Sequence, residues 1–146
     1  MKQEEKQLLF TDLSARLPYH VKVKVWLKDG TTEEGFLDLE HNYADVLTNA
    51  FYGGDIKDIK PFLRSMSSMT EEEKEELKTL FDAEEITSDS ICYLEGGTLE
   101  EYLSHISYSF CSKIIDWLNR HHFDYRGLIR KGLAIEAPKE KNPYEK

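Results

Sequence analysis

One short run near the N-terminus constrains the fold more than any other. Val21, Val23, Val25 and Leu27 alternate with Lys22, Lys24, Trp26 and Lys28. A two-residue rhythm puts one set on each face of a pleated strand, so the aliphatic set must find a core while the lysines face outward. Asp29-Gly30 follows at once. An Asp-Gly pair suits the tight hairpin turn that needs positive φ at its central positions, so the chain doubles back here. Thr31 to Glu40 reads as the returning strand, with Gly35, Leu37 and Leu39 on one face. A third strand is expected over Asp45–Asn49, centred on Val46 and Leu47, and a fourth over Ile56–Ile59, ended by Pro61. Short strands with turns at intervals of about ten residues predict a curled sheet or small barrel.

The flanking segments follow a different rhythm. Leu9, Leu13 and Leu17 recur every fourth position, widened by Leu8 and Phe10. They predict a helix from Glu4 to Leu17, stopped at Pro18 because the residue before a proline avoids the α region. Beyond Arg64 the pattern turns helical again. Thr70-Glu71-Glu72-Glu73 has the form of a capping box and opens a helix to Phe81, with Leu77, Leu80 and Phe81 inward. Thr98-Leu99-Glu100-Glu101 opens the longest helix, to Arg120, with Tyr102, Ile106, Phe110, Ile114 and Trp117 or Leu118 on its apolar stripe. Asp124 is placed to cap a short helix over Tyr125–Lys131, with Gly132 as its left-handed exit. The expectation is an α+β protein. An N-terminal helix and a small curled antiparallel β-sheet or barrel fill residues 1–64. A helical region over 65–136 packs on them, and a flexible tail over 137–146 has nothing to bury.

Apolar residues make up 40% of the 146, enough for a core of ordinary size. No apolar run approaches the ~18 residues that cross a bilayer. The opening Met-Lys-Gln-Glu-Glu-Lys lacks the apolar stretch of a signal peptide. Cys92 and Cys111 stand far apart, as reduced thiols do in a cytoplasmic protein, the expected location. Net charge is −9, and residues 70–101 hold 12 acidic against 2 basic side chains, so the whole excess sits in one segment. That segment cannot neutralise phosphates, which excludes duplex binding through it.

Three groups of residues carry candidate functions. Lys22, Lys24, Trp26 and Lys28 interleave cations with an aromatic ring, as a single-stranded nucleic acid requires; a solvated edge strand shows the same pattern. Glu71, Glu72, Glu75, Glu76, Asp82, Glu84 and Glu85 form an acidic surface suited to a basic protein partner; a solvated helix face is the plainer reading. His121, His122 and Asp124 contain the groups of a hydrolase or nuclease, but adjacent histidines point about 100° apart on a helix and Asp124 already has a capping role. Cys92, His105, Cys111 and His121 match no compact zinc spacing, and Gly96-Gly97 is too little for a phosphate loop. The expectation is a non-enzymatic binding module without metal or cofactor, of undetermined oligomeric state.

Val25-Trp26-Leu27-Lys28-Asp29-Gly30 with Gly35-Phe36-Leu37 resembles the first signature of the Sm-like RNA-binding proteins. That resemblance implies a five-stranded barrel behind an N-terminal helix, and its uridine-contacting loop would fall at His41 and Asp45. The second signature of that family is replaced by Phe51-Tyr52-Gly53-Gly54-Asp55. A broader resemblance rests on Lys60-Pro61-Phe62-Leu63-Arg64 through Glu73, on Ile114–Leu118, on His122–Ile129 and on Lys131–Ala134. Over those residues the chain looks like a group of uncharacterised proteins carried by phages and prophages of gut bacteria. The resemblance implies an accessory protein acting in the host cell, such as an acidic inhibitor of a host factor, and no activity.

Overall fold

A computed structural model of the chain describes residues 2–39, 43–83, 108–138 and 142–144. Helix α1 (Gln3–Arg16) forms as its leucine spacing predicts, burying Leu9 and Leu13. Pro18 then lies inside a single 3-10 turn, Leu17–Tyr19, where a missing N–H costs nothing. His20, at φ 56°, swings the chain into the sheet.

The hairpin forms as the Asp-Gly turn requires. Strand β1 (Val21–Leu27) alternates buried and half-buried residues, and β2 (Thr32–Leu37) pairs with it antiparallel. In the turn, Gly30 takes φ 93°, and the Asp29 carboxylate accepts hydrogen bonds from the Thr31 N–H at 2.9 Å and hydroxyl at 2.6 Å. Leu37 is buried as expected, but Leu39 lies past the strand end and is exposed.

The third expected strand is a helix, α2 (Tyr43–Phe51). Val46, Leu47, Ala50 and Phe51 fall at i, i+1, i+4 and i+5, a helical stripe as well as a short apolar run, and packing decides between them. Leu47 is buried against Leu9, Leu13 and the inner faces of β1 and β3. The helix ends at Gly53-Gly54, where a Cβ on Gly54 would stand 2.3 Å from Asn49 Oδ1. Asp45 is thus a helix residue, not part of a loop, and His41 falls outside the described residues.

Strand β3 (Ile56–Leu63) pairs antiparallel with β1 and runs straight through Pro61. Leu63 accepts from the Ala137 N–H on the far side of β3, so the backbone of Pro61, two residues back, faces that side too. Its missing N–H removes no rung of the β1–β3 ladder. On that far side a two-residue strand, β4 (Ile135–Glu136), pairs parallel with Phe62 and Leu63. Among the described residues the strand order is β2-β1-β3-β4, a mixed sheet rather than an antiparallel one, and not closed into a barrel. The segment expected to help close it is α2, which covers its inner face.

After β3, α3 (Glu71–Ala83) starts at the expected capping box: the Thr70 N–H donates to Glu73 at 3.0 Å, and the Glu73 N–H to the Thr70 hydroxyl at 3.1 Å. Helix α4 (Tyr108–Arg120) falls within the span expected for the longest helix, whose residues before Tyr108, with the capping box at Thr98, lie outside the described residues. Leu77 of α3 and Ile114, Trp117 and Leu118 of α4 build a second core with Met69 and Phe123. No short helix follows Asp124. Gly127 at φ 75° turns the chain, and the Asp124 carboxylate accepts instead from Leu128 N–H at 2.8 Å and Ile129 N–H at 2.9 Å. Gly132 does take the left-handed conformation, at φ 74°, but at the end of a turn and not of the expected helix. The tail does bury side chains: Ala137 is buried, and Tyr144 reaches back to the sheet. Among the described residues, no helix is long and apolar enough to cross a membrane.

Candidate functional site

Strand register assembles a surface on the outer sheet face that no single segment contains. Directly paired residues share a face. Lys24 stands between Glu34 of β2 and Lys60 of β3, and Trp26 between Thr32 and Asp58. Lys22 pairs with Phe36, and it faces Phe62 one step beyond the Val23–Pro61 pair. The ammonium groups of Lys24 and Lys60 lie 5.3 and 5.6 Å from the Trp26 ring centroid, and that of Lys22 lies 5.3 Å from Phe62. Such cation–π placements hold each lysine beside a ring at little cost. Phe36 is 45% exposed, and Lys22, Lys24, Trp26, Lys60 and Phe62 are half-buried. Lys28 falls past the end of β1, exposed, with its N–H on the Asp55 carbonyl.

The acidic helix divides into two faces. Glu73 turns inward and forms a two-pronged bridge with Arg64, at 2.7 and 2.6 Å, while the guanidinium lies 4.2 Å over the Phe123 ring. Burial raises the Glu73 carboxyl, but hydrogen bonds from Arg64 and the Thr70 N–H, with the Arg64 charge, bring it down to about 2. Glu71, Glu72, Glu75 and Glu76 lie on the exposed side. Glu71 meets Lys74 at 3.4 Å, and Glu76 accepts from Trp117 Nε1 at 3.2 Å. Asp82 lies in the last turn of this helix, and Glu84 and Glu85 lie outside the described residues.

His121, His122 and Asp124 do not meet. His121 packs on Trp117, ring centroids 4.3 Å apart, with Nδ1 at 3.4 Å from Glu73; burial above all lowers its pKa. His122, only 2% exposed and at φ 58°, donates from Nε2 to the Tyr19 carbonyl at 2.9 Å. Burial, then the Arg16 charge, push His122 down to about 3, so it is a neutral structural ring. Asp124 spends both oxygens on Leu128 and Ile129. The groups a hydrolase or nuclease would bring together therefore serve three separate structural contacts. Cys92 and His105 lie outside the described residues, and no group of three potential metal ligands occurs among the described ones.

Two features escape a reading of the linear sequence. Lys60, Phe36 and Phe62 join the face only through cross-strand register. The Tyr144 hydroxyl accepts from the Lys22 N–H at 2.9 Å and donates to the Phe62 carbonyl at 2.7 Å, standing where those two strands would otherwise bond directly. Its ring stacks on His122, centroids 3.7 Å apart and 15° from parallel, and meets Phe36 edge-on at 6.3 Å. Burial raises the pKa of this phenol well above its ordinary value. Comparison with protein-family models, with curated proteins and with solved structures finds no match to the chain.

Proposed function

We propose that the chain is a non-enzymatic binding module whose outer sheet face takes an extended single strand of nucleic acid. The observation that supports this reading is the register-built cluster of Lys22, Lys24 and Lys60 with Trp26, Phe36 and Phe62. Rings spaced along a pleated face can stack unpaired bases while lysines between them meet phosphates. Glu34 and Asp58 lie on the same face, so its net charge is small and stacking must supply much of the affinity. Three lysines neutralising three phosphates give log K against log salt a slope of about −2. Fluorescence anisotropy with a labelled oligothymidylate, from ~20 mM salt upward, reads that slope. Replacing Lys24 and Lys60 by alanine is expected to flatten it to about −0.7 and weaken binding about tenfold at the lowest salt. Absence of binding at that salt sinks the reading.

The exposed face of α3 favours a second reading, in which Glu71, Glu72, Glu75 and Glu76 occupy a basic surface on a protein partner as an acidic inhibitor of a host factor would. The phage and host-cell setting implied by the sequence resemblance belongs to this same reading. Its support is that Arg64 fixes the helix through Glu73 while Glu71, Glu72 and Glu75 face outward and Glu76 stays exposed beside Trp117. Reversing Glu71, Glu72 and Glu75 to lysine leaves that anchor intact. The variant should lose a partner that the unaltered chain retains from nuclease-treated host lysate. Equal retention by both chains rules the acidic face out.

A further inference from the structure

We propose that Tyr144 is a built-in competitor for the face described above, so that the chain holds one end of its own binding surface closed. The proposal rests on the reading of that face as a nucleic-acid platform and adds its regulation. Lys22, Phe36 and Phe62 form one row across the sheet, and Tyr144 caps that row, edge-on to Phe36 with its hydroxyl on the backbone of both other residues. The ring on its other side, His122, is stacked in parallel as a nucleobase would be. Tyr144 thus makes the two contacts a base would make at this position, ring stacking and a hydrogen bond to a strand backbone. It stands 122 residues from Lys22 and 82 from Phe62 in the chain, and no described core cluster includes it. A base in this place and the phenol exclude each other.

When the docked state outweighs the undocked by ten to one, the apparent affinity of a ligand for the open face falls by the same factor of about ten. The test compares oligothymidylate binding by the full chain and by its Tyr144→Ala form, both checked for unchanged melting of the helical and sheet signal. A second arm treats the full chain with tetranitromethane, with and without oligonucleotide, and follows nitration of Tyr144 by mass spectrometry. The expected results are about tenfold tighter binding by Tyr144→Ala and a rise in Tyr144 nitration when oligonucleotide is present. Equal affinities, or binding that leaves Tyr144 protected, overturn the competitor while the platform stands. Failure of both chains to bind at low salt overturns the two together.

Discussion

Asp12→Ala is expected to cost about 3–5 kcal/mol of folding stability, a large share of what holds a domain of this size together. Asp12 and Arg16 are both 0% exposed on the inner face of α1. The carboxylate accepts from Arg16 Nε at 2.9 Å and Nη2 at 3.1 Å, and from Arg126 Nη1 at 2.8 Å. One anion thus serves two guanidinium groups, and Arg16 Nη2 also reaches the Phe123 carbonyl at 2.6 Å. These bonds tie α1 to the turn after α4. Among the described residues Arg16 Nη1 has no hydrogen-bond partner, and they offer the network no spare acceptor to absorb the loss. Removing the carboxylate strands a fully desolvated cation, which costs far more than the intact bridge contributes. Arg126, 19% exposed, can turn to water; Arg16 cannot. The double variant Asp12→Leu/Arg16→Met should therefore recover most of the loss, because it replaces both buried charges with packed apolar groups. Urea unfolding followed by tryptophan emission measures all three chains. A cost below about 1 kcal/mol for Asp12→Ala contradicts this account of the network.

How far the fold can be read from the chain depends on how local each signal is. The β1–β2 hairpin and the start of α3 were legible because their determinants lie within a few residues: the Val/Lys alternation with Asp29-Gly30, and Thr70 with Glu73. Val46-Leu47 was ambiguous because a short apolar run fits strand and helix alike, and the inner sheet face that selects the helix is built by distant residues. Pro61 looked like a strand end, but whether a proline removes a ladder bond depends on which margin its nitrogen faces. The same misreading hid Lys60 and Phe62 from the candidate face. Asp124 carried a true capping signal, yet Gly127 at positive φ moves its acceptors onto Leu128 and Ile129. Tyr144 had no local signal at all. Its slot is assembled from β1, β2, β3 and the turn after α4, segments that meet only in the finished fold.

Acid is expected to destabilise the protein in two separable steps, the upper dominated by His122 with a smaller contribution of the same sign from His121, the lower set by Glu73. His122 is held at about 3 against an ordinary 6.5, so below pH 6.5 the unfolded chain takes up a proton that the folded chain refuses. Stability is therefore complete above pH 6.5 and falls as pH drops towards 3. At about 1.4 kcal/mol per pH unit, the loss reaches roughly 3 kcal/mol by pH 4. Glu73 acts lower down. Its folded carboxyl sits at about 2 against 4.5, so its contribution is complete above 4.5 and is lost as pH falls through about 2. Its side chain is 13% exposed at the rim of the Arg64 bridge, and screening reduces the unscreened ~3 kcal/mol to about 1–2. Two substitutions separate the steps. Asparagine tolerates the left-handed backbone at position 122, so His122→Asn should flatten the profile between pH 6.5 and 4 and leave the lower step in place. Arg64→Met keeps an apolar stem against Phe123 but removes the bridge; it should erase the lower step and leave the upper one. Urea midpoints across about pH 2 to 8 read both profiles. A His122→Asn profile as steep as that of the unaltered chain between pH 6.5 and 4 would show that the buried imidazole is not the group that titrates there.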